Sequence, residues 1–272
     1  IAQSVAAVLI RVVLAPEHLG WTEQSESLLN GVLPLVEEDD KVISTGFARL
    51  VADLTARNPR EDALINILQL CGGSARSAKI SALNVLSEVL RLGREMTDDT
   101  IAAVTTTTLP RLKDKDIESR KAATAVFAHI PPQTMLPTLI RLLVSKDAEE
   151  RAAAGDAFVS MLSEQRSPAQ AMQTYFSAVA SMSRTEDAGA DAERAKTTAD
   201  AISRATKLLT RFAETVSSDD WPNIAQVITR AVFDAPAASA FHQSMIALMP
   251  WIGVIPARTR VFDSCIAAFN SQ

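Results

Sequence analysis

The chain has 272 residues, of which 47% are hydrophobic and 22% are charged, and its formal net charge is −5. This balance supports a large buried core and excludes the low hydrophobicity and high net charge that keep a chain disordered. Aromatic residues make up only 5%, and nine glycines leave few positions for hairpin turns or glycine-rich phosphate loops. The composition therefore favours packed helices over a β-sandwich or a nucleotide-binding α/β fold.

The cellular setting is indicated by the cysteines and by the apolar segments. Cys71 and Cys265 are the two cysteines, and the sequence contains no Asn-x-Ser/Thr sequon, so nothing points to an oxidising compartment. The apolar segments 5–15 and 245–257 are interrupted by a charge or by prolines and are shorter than the ~20 residues that span a bilayer. We expect an intracellular protein, cytoplasmic or nuclear, with no membrane span.

Apolar residues recur at positions i, i+3, i+4 and i+7 in about fourteen segments that Pro, Gly, Asp or Asn separate. The pattern predicts an all-α fold without β-sheet, with about seven stacked antiparallel helical pairs in one domain over 1–272 and a flexible connection at 183–193. Because Ile1 already belongs to this pattern, we expect the chain to be part of a longer protein. In chain order the predicted pairs are 2–15 with 22–37, 40–57 with 61–71, 75–92 with 97–113, 116–130 with 133–145, 147–165 with 168–183, 187–217 with 220–233, and 236–252 with 257–270.

Polar residues at the starts of several segments predict where helices begin. An Asp or Ser side chain at the N-cap accepts a hydrogen bond from a free backbone amide of the first turn. The predicted N-caps are Asp98, Asp116, Asp147, Ser167 and Asp219.

One stretch of sequence repeats. The frame Lys-Asp-x-Glu-x-Arg-x-Ala-Ala-x-x-x-Phe runs from Lys115 to Phe127 and again from Lys146 to Phe158. Upstream of each copy, LPRL at 109–112 corresponds to LIRL at 139–142. This frame resembles the HEAT repeat family, which is armadillo-like in architecture. The resemblance implies an α-solenoid in which neighbouring pairs cover each other's apolar faces and which binds other macromolecules.

Within the repeated frame, Asp116 precedes Arg120 by four residues, and Asp147 precedes Arg151 by four. This spacing predicts an ion pair one helical turn apart at the same place in two neighbouring repeats. The guanidinium fork of each Arg also has donors left for an acid or carbonyl of the adjacent repeat. We expect the two Asp-x-x-x-Arg pairs to be structural.

The sequence offers little for chemistry. It contains no GxGxxG, GxxxxGK[ST], GxSxG or HExxH motif. His18, His129 and His242 have no metal-ligand partner at helical spacing. Cys71 precedes two glycines at a predicted helix end, where it is either a nucleophile near the helix dipole or, more simply, a small packing residue. We therefore predict no enzymatic activity, no cofactor and no metal site.

Charge is spread evenly along the chain. Residues 71–130 carry nine basic and seven acidic groups, and no stretch is strongly basic. Since a nucleic-acid clamp needs concentrated Lys and Arg, this pattern disfavours DNA or RNA as a partner. We predict a non-enzymatic protein–protein interaction scaffold, a HEAT-repeat segment of a larger protein. The alternatives are a karyopherin-like transport receptor and a tubulin-binding HEAT module.

Two groups of residues are candidates for partner binding. Basic side chains concentrate at the ends of predicted second helices, which we expect to face inwards and to meet an acidic extended or helical segment; the alternative is that they keep those helices soluble. Tryptophans near turns are candidate anchors, and the alternative is that they fill the core. The basic residues are Arg111, Lys113, Lys115 and Arg141, and the tryptophans are Trp21 and Trp221.

Overall fold

The computed structural model describes residues 61–92, 97–165, 167–187, 192–213, 216–217 and 219–234. Within these ranges the ordered segments are helical and none is a strand, so the prediction of an all-α fold is confirmed there. The predicted helices before residue 61 and after residue 234 lie outside the described residues. The described helices are α1 (Glu61–Gly72), α2 (Arg76–Arg91), α3 (Asp98–Thr108), a 3-10 helix (Leu109–Lys113), α4 (Ile117–Ala128), α5 (Pro132–Leu142), α6 (Ala148–Ser163), α7 (Pro168–Asp187), α8 (Ala192–Ala213) and α9 (Trp221–Asp234).

Side-chain caps start helices at three of the predicted positions. Asp116 Oδ2 accepts the Ser119 amide of α4 at 3.2 Å. Asp147 Oδ1 accepts the first-turn amides of α6 at 2.8 and 3.1 Å. Ser167 Oγ accepts the Gln170 amide at 3.2 Å, at the start of α7. These caps satisfy donors that have no partner inside the helix.

Two predicted caps were wrong. The N-cap of α3 is Thr97, whose side chain accepts the Thr100 amide, and Asp98 lies one residue later in the first turn. Its carboxylate is there well placed to interact with the helix dipole. Helix α9 begins at Trp221, so Asp219 lies before the cap position, and its own amide donates to Ser217 Oγ at 3.2 Å.

The predicted helix 97–113 divides into α3 and the 3-10 helix. Pro110 causes the change, because its ring removes the amide that would continue the α-helical hydrogen bonds and restricts the residue before it. Further along, α7 extends to Asp187. The first part of the predicted flexible connection at 183–193 is therefore helical, and residues 188–191 lie outside the described residues.

Helix contacts alternate along the chain. The chain forms two compact units that meet in sequence between Ile130 and Pro131. In the first unit α2 packs on α4, and α1 packs on both α2 and α3. In the second, α6 packs on α8, α5 packs on α7, and α7 packs on α9, while α5 also contacts α6 and α8. First helices thus stack on first helices and second helices on second helices. Within each unit we distinguish two layers: the first layer is α2 and α4 in the first unit and α6 and α8 in the second, and the second layer is α1 and α3 in the first unit and α5, α7 and α9 in the second.

The two layers bury a continuous apolar core within each unit. In the first unit Leu83, Leu86 and Phe127 are fully buried. In the second, the buried Tyr175 ring packs edge-on against Phe158 at a centroid distance of 5.9 Å. Its hydroxyl shares a hydrogen bond of 3.0 Å with Thr206, and its burial raises the pKa of the phenol. The aromatic side chain thereby fills the space between helices without leaving its hydroxyl unsatisfied.

Gly155 allows first-layer helices α6 and α8 to approach closely. A Cβ atom at this position would lie 3.3 Å from Leu208 Cδ1. The alanines around it, Ala153, Ala154 and Ala157, are buried as well. Small side chains therefore set the distance between neighbouring repeats, as the Ala-rich frame predicts.

Candidate protein-binding surface

The repeated sequence frame folds into two similar turns, which we call the first repeat turn (113–120) and the second repeat turn (144–151). In the first, Asp114 accepts hydrogen bonds from Ser119 Oγ at 3.0 Å and from the Asp116 amide at 3.2 Å. Arg120 Nη1 reaches back from α4 and donates to the carbonyl oxygens of Asp114 and Lys115 at 2.6 and 3.2 Å. These bonds close the turn onto the helix that follows it.

The second repeat turn has the same bonds with two residues exchanged. Ser145 stands where the first turn has Asp114, and Glu150 stands where it has Ser119. Ser145 Oγ bonds to the Glu150 carboxylate and accepts the Asp147 amide at 3.2 Å. Arg151 Nη1 donates to the carbonyls of Ser145 and Lys146 at 2.6 and 3.0 Å. Both turns therefore contain a hydrogen bond between a carboxylate and a hydroxyl. The carboxylate comes from the turn in the first case (Asp114) and from the helix in the second (Glu150).

The predicted Asp-x-x-x-Arg ion pairs were wrong. Asp116 and Asp147 direct their carboxylates towards the amides of the helix start. Arg120 and Arg151 extend towards the N-terminus of their helices, as long helical side chains do, and meet carbonyl oxygens of the turn. Asp116 forms its ion pair with Arg76 of α2 instead, at 2.9 Å.

The first repeat turn is also bonded to the preceding helical pair. Arg111 Nη2 donates to the Gly72 carbonyl at the end of α1, at 2.9 Å. Lys79 of α2 forms an ion pair with Asp114, and the two side chains are only 10% and 14% exposed. Burial by itself would raise the pKa of Asp114, but hydrogen bonds from Lys79, the Asp116 amide and Ser119 lower it to about 2. The Asp114 carboxylate therefore stays ionised and links neighbouring repeats.

These contacts give the four basic candidates different roles. Arg111 and Lys113 lie on the 3-10 helix and Lys115 lies in the turn, rather than on a second helix as predicted. The Arg111 side chain is 23% exposed and bonded to α1, which marks it as a structural residue. Lys113 and Lys115 are exposed near it. Arg141 is exposed in the last turn of α5, in the other unit.

The tryptophan candidates divide in the same way. Trp221 is the first residue of α9 and is only 8% exposed, a burial typical of a core residue. Trp21 lies outside the described residues, and the tubulin-binding hypothesis depended on it. As an anchor for a partner, Trp221 would have to leave the core.

Cys71 and the polar clusters offer no sign of chemistry in the described ranges. Cys71 is buried, and this burial raises the pKa of its thiol to about 12. A thiol that stays protonated is a poor nucleophile, so the packing interpretation of Cys71 is favoured. No group of three or more His, Cys, Asp or Glu side chains among the described residues is arranged to hold a metal ion. None of the described helices is long and apolar enough to cross a membrane.

Arg141 belongs to a regular pattern on the second layer of the second unit. On each of α5, α7 and α9, the third, sixth and tenth residues lie on the side of the helix turned away from the core. Eight of these nine side chains are exposed and Pro137 is half-buried. We call this set the polar stripe: Thr134, Pro137 and Arg141 on α5; Gln170, Gln173 and Ser177 on α7; Asn223, Gln226 and Arg230 on α9.

The polar stripe contains amides, hydroxyls and two arginines, and no acid. Because α7 packs on both α5 and α9, the three rows lie side by side. The exposed side chains of the first layer in the same unit are mixed in charge, with Glu149, Asp156 and Asp200 among them. The nine residues of the stripe are therefore basic or uncharged, whereas the described side chains of the first layer have both signs of charge.

Sequence reasoning found Arg141 and missed its neighbours in the stripe. Gln173 and Gln226 carry no charge and belong to no motif, so composition gives no signal for them. A signal was nevertheless present, because both are the sixth residue of their helices. Aligning α5, α7 and α9 by their first residues shows polar groups at eight of the nine equivalent positions, with Pro137 as the exception.

Three solved structures are similar to the chain over most of its length. An archaeal HEAT-like repeats protein from Thermococcus onnurineus NA1 is 16% identical, with 92% of this chain and 97% of that chain covered and a TM-score of 0.38. A designed armadillo repeat protein is 13% identical, with 82% and 99% covered and a TM-score of 0.34. An engineered protein is 13% identical, with 97% of each chain covered and a TM-score of 0.31. No family model and no curated protein matches the sequence.

The helix contacts and turns of the chain itself define its fold. In the described residues, helical pairs follow one another, first helices stack on first helices, and second helices stack on second helices. The two repeat turns are built from the same hydrogen bonds. In the described residues, the chain therefore has an α-helical repeat fold built from stacked helical pairs.

Proposed function

We propose that this chain is a non-enzymatic protein-binding module, a HEAT-like scaffold segment that acts inside the cell. The observation that carries the proposal is the polar stripe, a regular set of exposed and uncharged or basic side chains on neighbouring second helices. Exposed polar positions recur on any row of amphipathic helices, and what distinguishes this row is that none of its nine residues is acidic. A surface that binds an elongated partner gains from such regularity, because the same contact can recur along it.

The charged groups of the repeat turns support the non-enzymatic part of the proposal. Asp114 and Asp116 are ion-paired with α2 and bonded to the start of α4. Arg120 and Arg151 are bonded to carbonyl oxygens of their own turns. The side chains that a sequence search would first consider for acid–base chemistry therefore have structural partners.

The proposal is tested by affinity purification with the folded chain as bait. Proteins retained from a cell extract would be identified, produced in pure form and measured for direct binding by calorimetry. A pure protein that binds with a defined stoichiometry supports the proposal, and the absence of any such protein would contradict it. Capture of a small GTPase or of basic localisation peptides would favour the karyopherin-like alternative, and capture of tubulin would favour the tubulin-binding one.

A further inference from the structure

We propose that the outer face of α1 and α3, in the first unit, binds an amphipathic helix of a partner protein whose basic end meets Asp98 and Asp99. This inference rests on the proposed function, that the chain binds proteins, and adds to the polar stripe a second surface with its own class of ligand. Six exposed residues form this surface, which we call the uncharged face: Ile65, Asn66 and Gln69 on α1, and Ala102, Ala103 and Thr106 on α3.

The uncharged face repeats from one helix to the next. Its members are the fifth, sixth and ninth residues of α1 and again of α3. The fourth, seventh and eleventh residues of both helices are buried: Leu64, Ile67 and Cys71 on α1, and Ile101, Val104 and Thr108 on α3. Because α1 packs on α3, the equivalent exposed residues lie on one side of the layer, turned away from the core.

The lack of charge distinguishes this face from the first layer of the same unit. Residues 63–75 and 100–110 contain no Asp, Glu, Lys or Arg. In the first layer, α2 and α4 have exposed charged side chains, among them Arg76, Arg91 and Lys121. Charged groups are costly to bury, and the cores of protein interfaces are depleted in them. A partner can therefore cover the uncharged face without desolvating a charge.

Half of the face is apolar. Ile65 is 49% exposed, and it is one of three large hydrophobic side chains that are exposed in the described residues. On the neighbouring α3, Ala102 and Ala103 have only methyl groups, and small side chains at a contact let a second helix approach closely. Removing the Ile65 side chain from water stabilises a complex. An apolar stripe on a helix, with residues three or four apart, is the kind of surface that packs on such a face.

An extended segment is less well suited to this face. Its backbone amides and carbonyls are free and need hydrogen-bonding partners when they are buried. Ile65, Ala102 and Ala103 have no side-chain donor or acceptor to offer. In a helical ligand the backbone groups are already bonded to each other, so burial against these side chains leaves none of them unsatisfied.

Acids at the start of α3 determine the direction of the ligand. Asp98 and Asp99 are exposed in the first turn of α3. Arg91, at the end of the preceding helix, is ion-paired with Glu88 at 2.7 Å, so that pair adds no net charge. Basic residues stabilise a helix at its C-terminal end, where they can also pair with Asp98 and Asp99. The ligand helix therefore runs antiparallel to α3.

The test is fluorescence anisotropy with the whole chain and a labelled fourteen-residue peptide. The peptide has Glu at positions 1 and 2, Leu at 4, 7, 8 and 11, Lys at 13 and 14, and Gln elsewhere. As a helix it is about 21 Å long, enough to run along the eleven residues of α3. We expect saturable binding. Replacing the four Leu by Gln keeps the charge and nearly the same helix propensity, and it should abolish binding. Failure of the Leu peptide to bind, or equal binding of the Gln peptide, would overturn the inference.

Substitutions on the face locate the binding. Combining I65Q with A103Q should weaken affinity for the Leu peptide at least about tenfold, because it removes apolar surface and fills the space beside α3 without adding charge. The matched control combines L92Q with A152Q, an exposed large aliphatic residue and an exposed Ala outside the face. The control should change affinity less than about twofold. Equal losses in both variants would place the peptide elsewhere. Circular dichroism of every variant should match that of the parent chain.

The direction of the ligand has its own test. Combining D98N with D99N should weaken binding about three- to tenfold at low salt, and by less at high salt, because exposed charges are screened over about 8–10 Å. The matched control combines D156N with D200N, which changes the net charge equally at exposed positions of the second unit. It should change affinity less than about twofold. Unchanged affinity in D98N/D99N, or an equal loss in the control, would contradict the pairing of these acids with the basic end of the ligand.

Failure of this inference can be separated from failure of the proposed function. If the Leu peptide does not bind but a purified partner protein binds the parent chain, the module function stands and the uncharged face is not a binding surface. If neither binds, both proposals fail.

Discussion

Arg120 and Arg151 show how single side chains can fix the shape of a repeat. Each arginine reaches back over its own turn and donates to two carbonyl oxygens of the residues that precede its helix. A charged donor makes a stronger hydrogen bond than a neutral one. The arginine in the repeated frame thus bonds the polypeptide entering the helix to the helix itself.

We predict that R120A and R151A each lower the free energy of unfolding by about 1–2 kcal/mol, because each removes two charge-assisted hydrogen bonds and leaves carbonyls unbonded. Chemical denaturation followed by circular dichroism measures the change. The control is K121A, which removes an exposed i, i+3 pair with Glu118 and should cost no more than about 0.5 kcal/mol. If the arginine variants were as stable as the control, the turns would not depend on these bonds.

Asp114 makes stability depend on pH in the acid range. Its pKa is about 2 in the folded chain, below the value of an exposed Asp, because Lys79 and two further donors bond to the carboxylate. A group whose folded pKa is lowered stabilises the protein above its unfolded pKa and loses that contribution as pH falls towards the folded value. The loss should therefore occur between about pH 4 and pH 2.

We predict that the parent chain is more stable than the D114N variant at pH 6 and that this difference shrinks steadily from pH 4 to pH 2. Urea denaturation at a series of pH values measures it. A difference that stays constant over this range would mean that the carboxylate is not bonded as the structure shows.

At the scale of the element, helix boundaries were largely readable from the sequence. Prolines, N-cap side chains and apolar periodicity are local signals, and they predicted α1 to α9 closely. The departures also have local causes: Pro110 converts the end of one helix to a 3-10 helix, and Thr97 takes the cap position next to Asp98.

The contacts between elements were less predictable. Sequence spacing favoured an ion pair of Asp116 with Arg120, four residues along the chain. In the structure α2 packs on α4, and Asp116 forms its ion pair with Arg76 of α2. The equivalence of Asp114 with Ser145 could not be read from the sequence, because the two positions hold different residue types. The acid–hydroxyl bond is kept only because Ser119 and Glu150 differ in the opposite sense. The polar stripe was missed because no motif marks its positions, which come together where α5, α7 and α9 pack side by side.

Gly155 provides a prediction about packing between elements. Replacing it by Leu should destabilise the chain by about 1–3 kcal/mol, because the larger side chain would push α6 away from Leu208 of α8. G155A is the matched control: its methyl group would lie 3.3 Å from Leu208, and its better helix propensity offsets part of that strain. Thermal denaturation should therefore place G155A near the parent chain and G155L well below it. Equal melting temperatures for the parent and G155L would show that the two helices are not held this closely.

In the whole molecule, the two layers of the second unit differ in their packing residues and in the charge of their exposed side chains. The first layer has Gly and Ala at its helix contacts and mixed charge on its surface, which suits packing and solubility. On the second layer, the nine positions of the polar stripe contain no acid, and polar residues stand at eight of them. We propose that the partner protein binds to this second-layer face.

Site-specific photo-crosslinking tests that claim most directly. A photo-reactive amino acid would replace Gln173 in the polar stripe in one sample and Asp200, exposed on first-layer helix α8, in the other. Each variant would be irradiated with a partner protein that binds the parent chain. We expect a covalent adduct from position 173 and little or none from position 200. An adduct formed from position 200 and not from position 173 would contradict it.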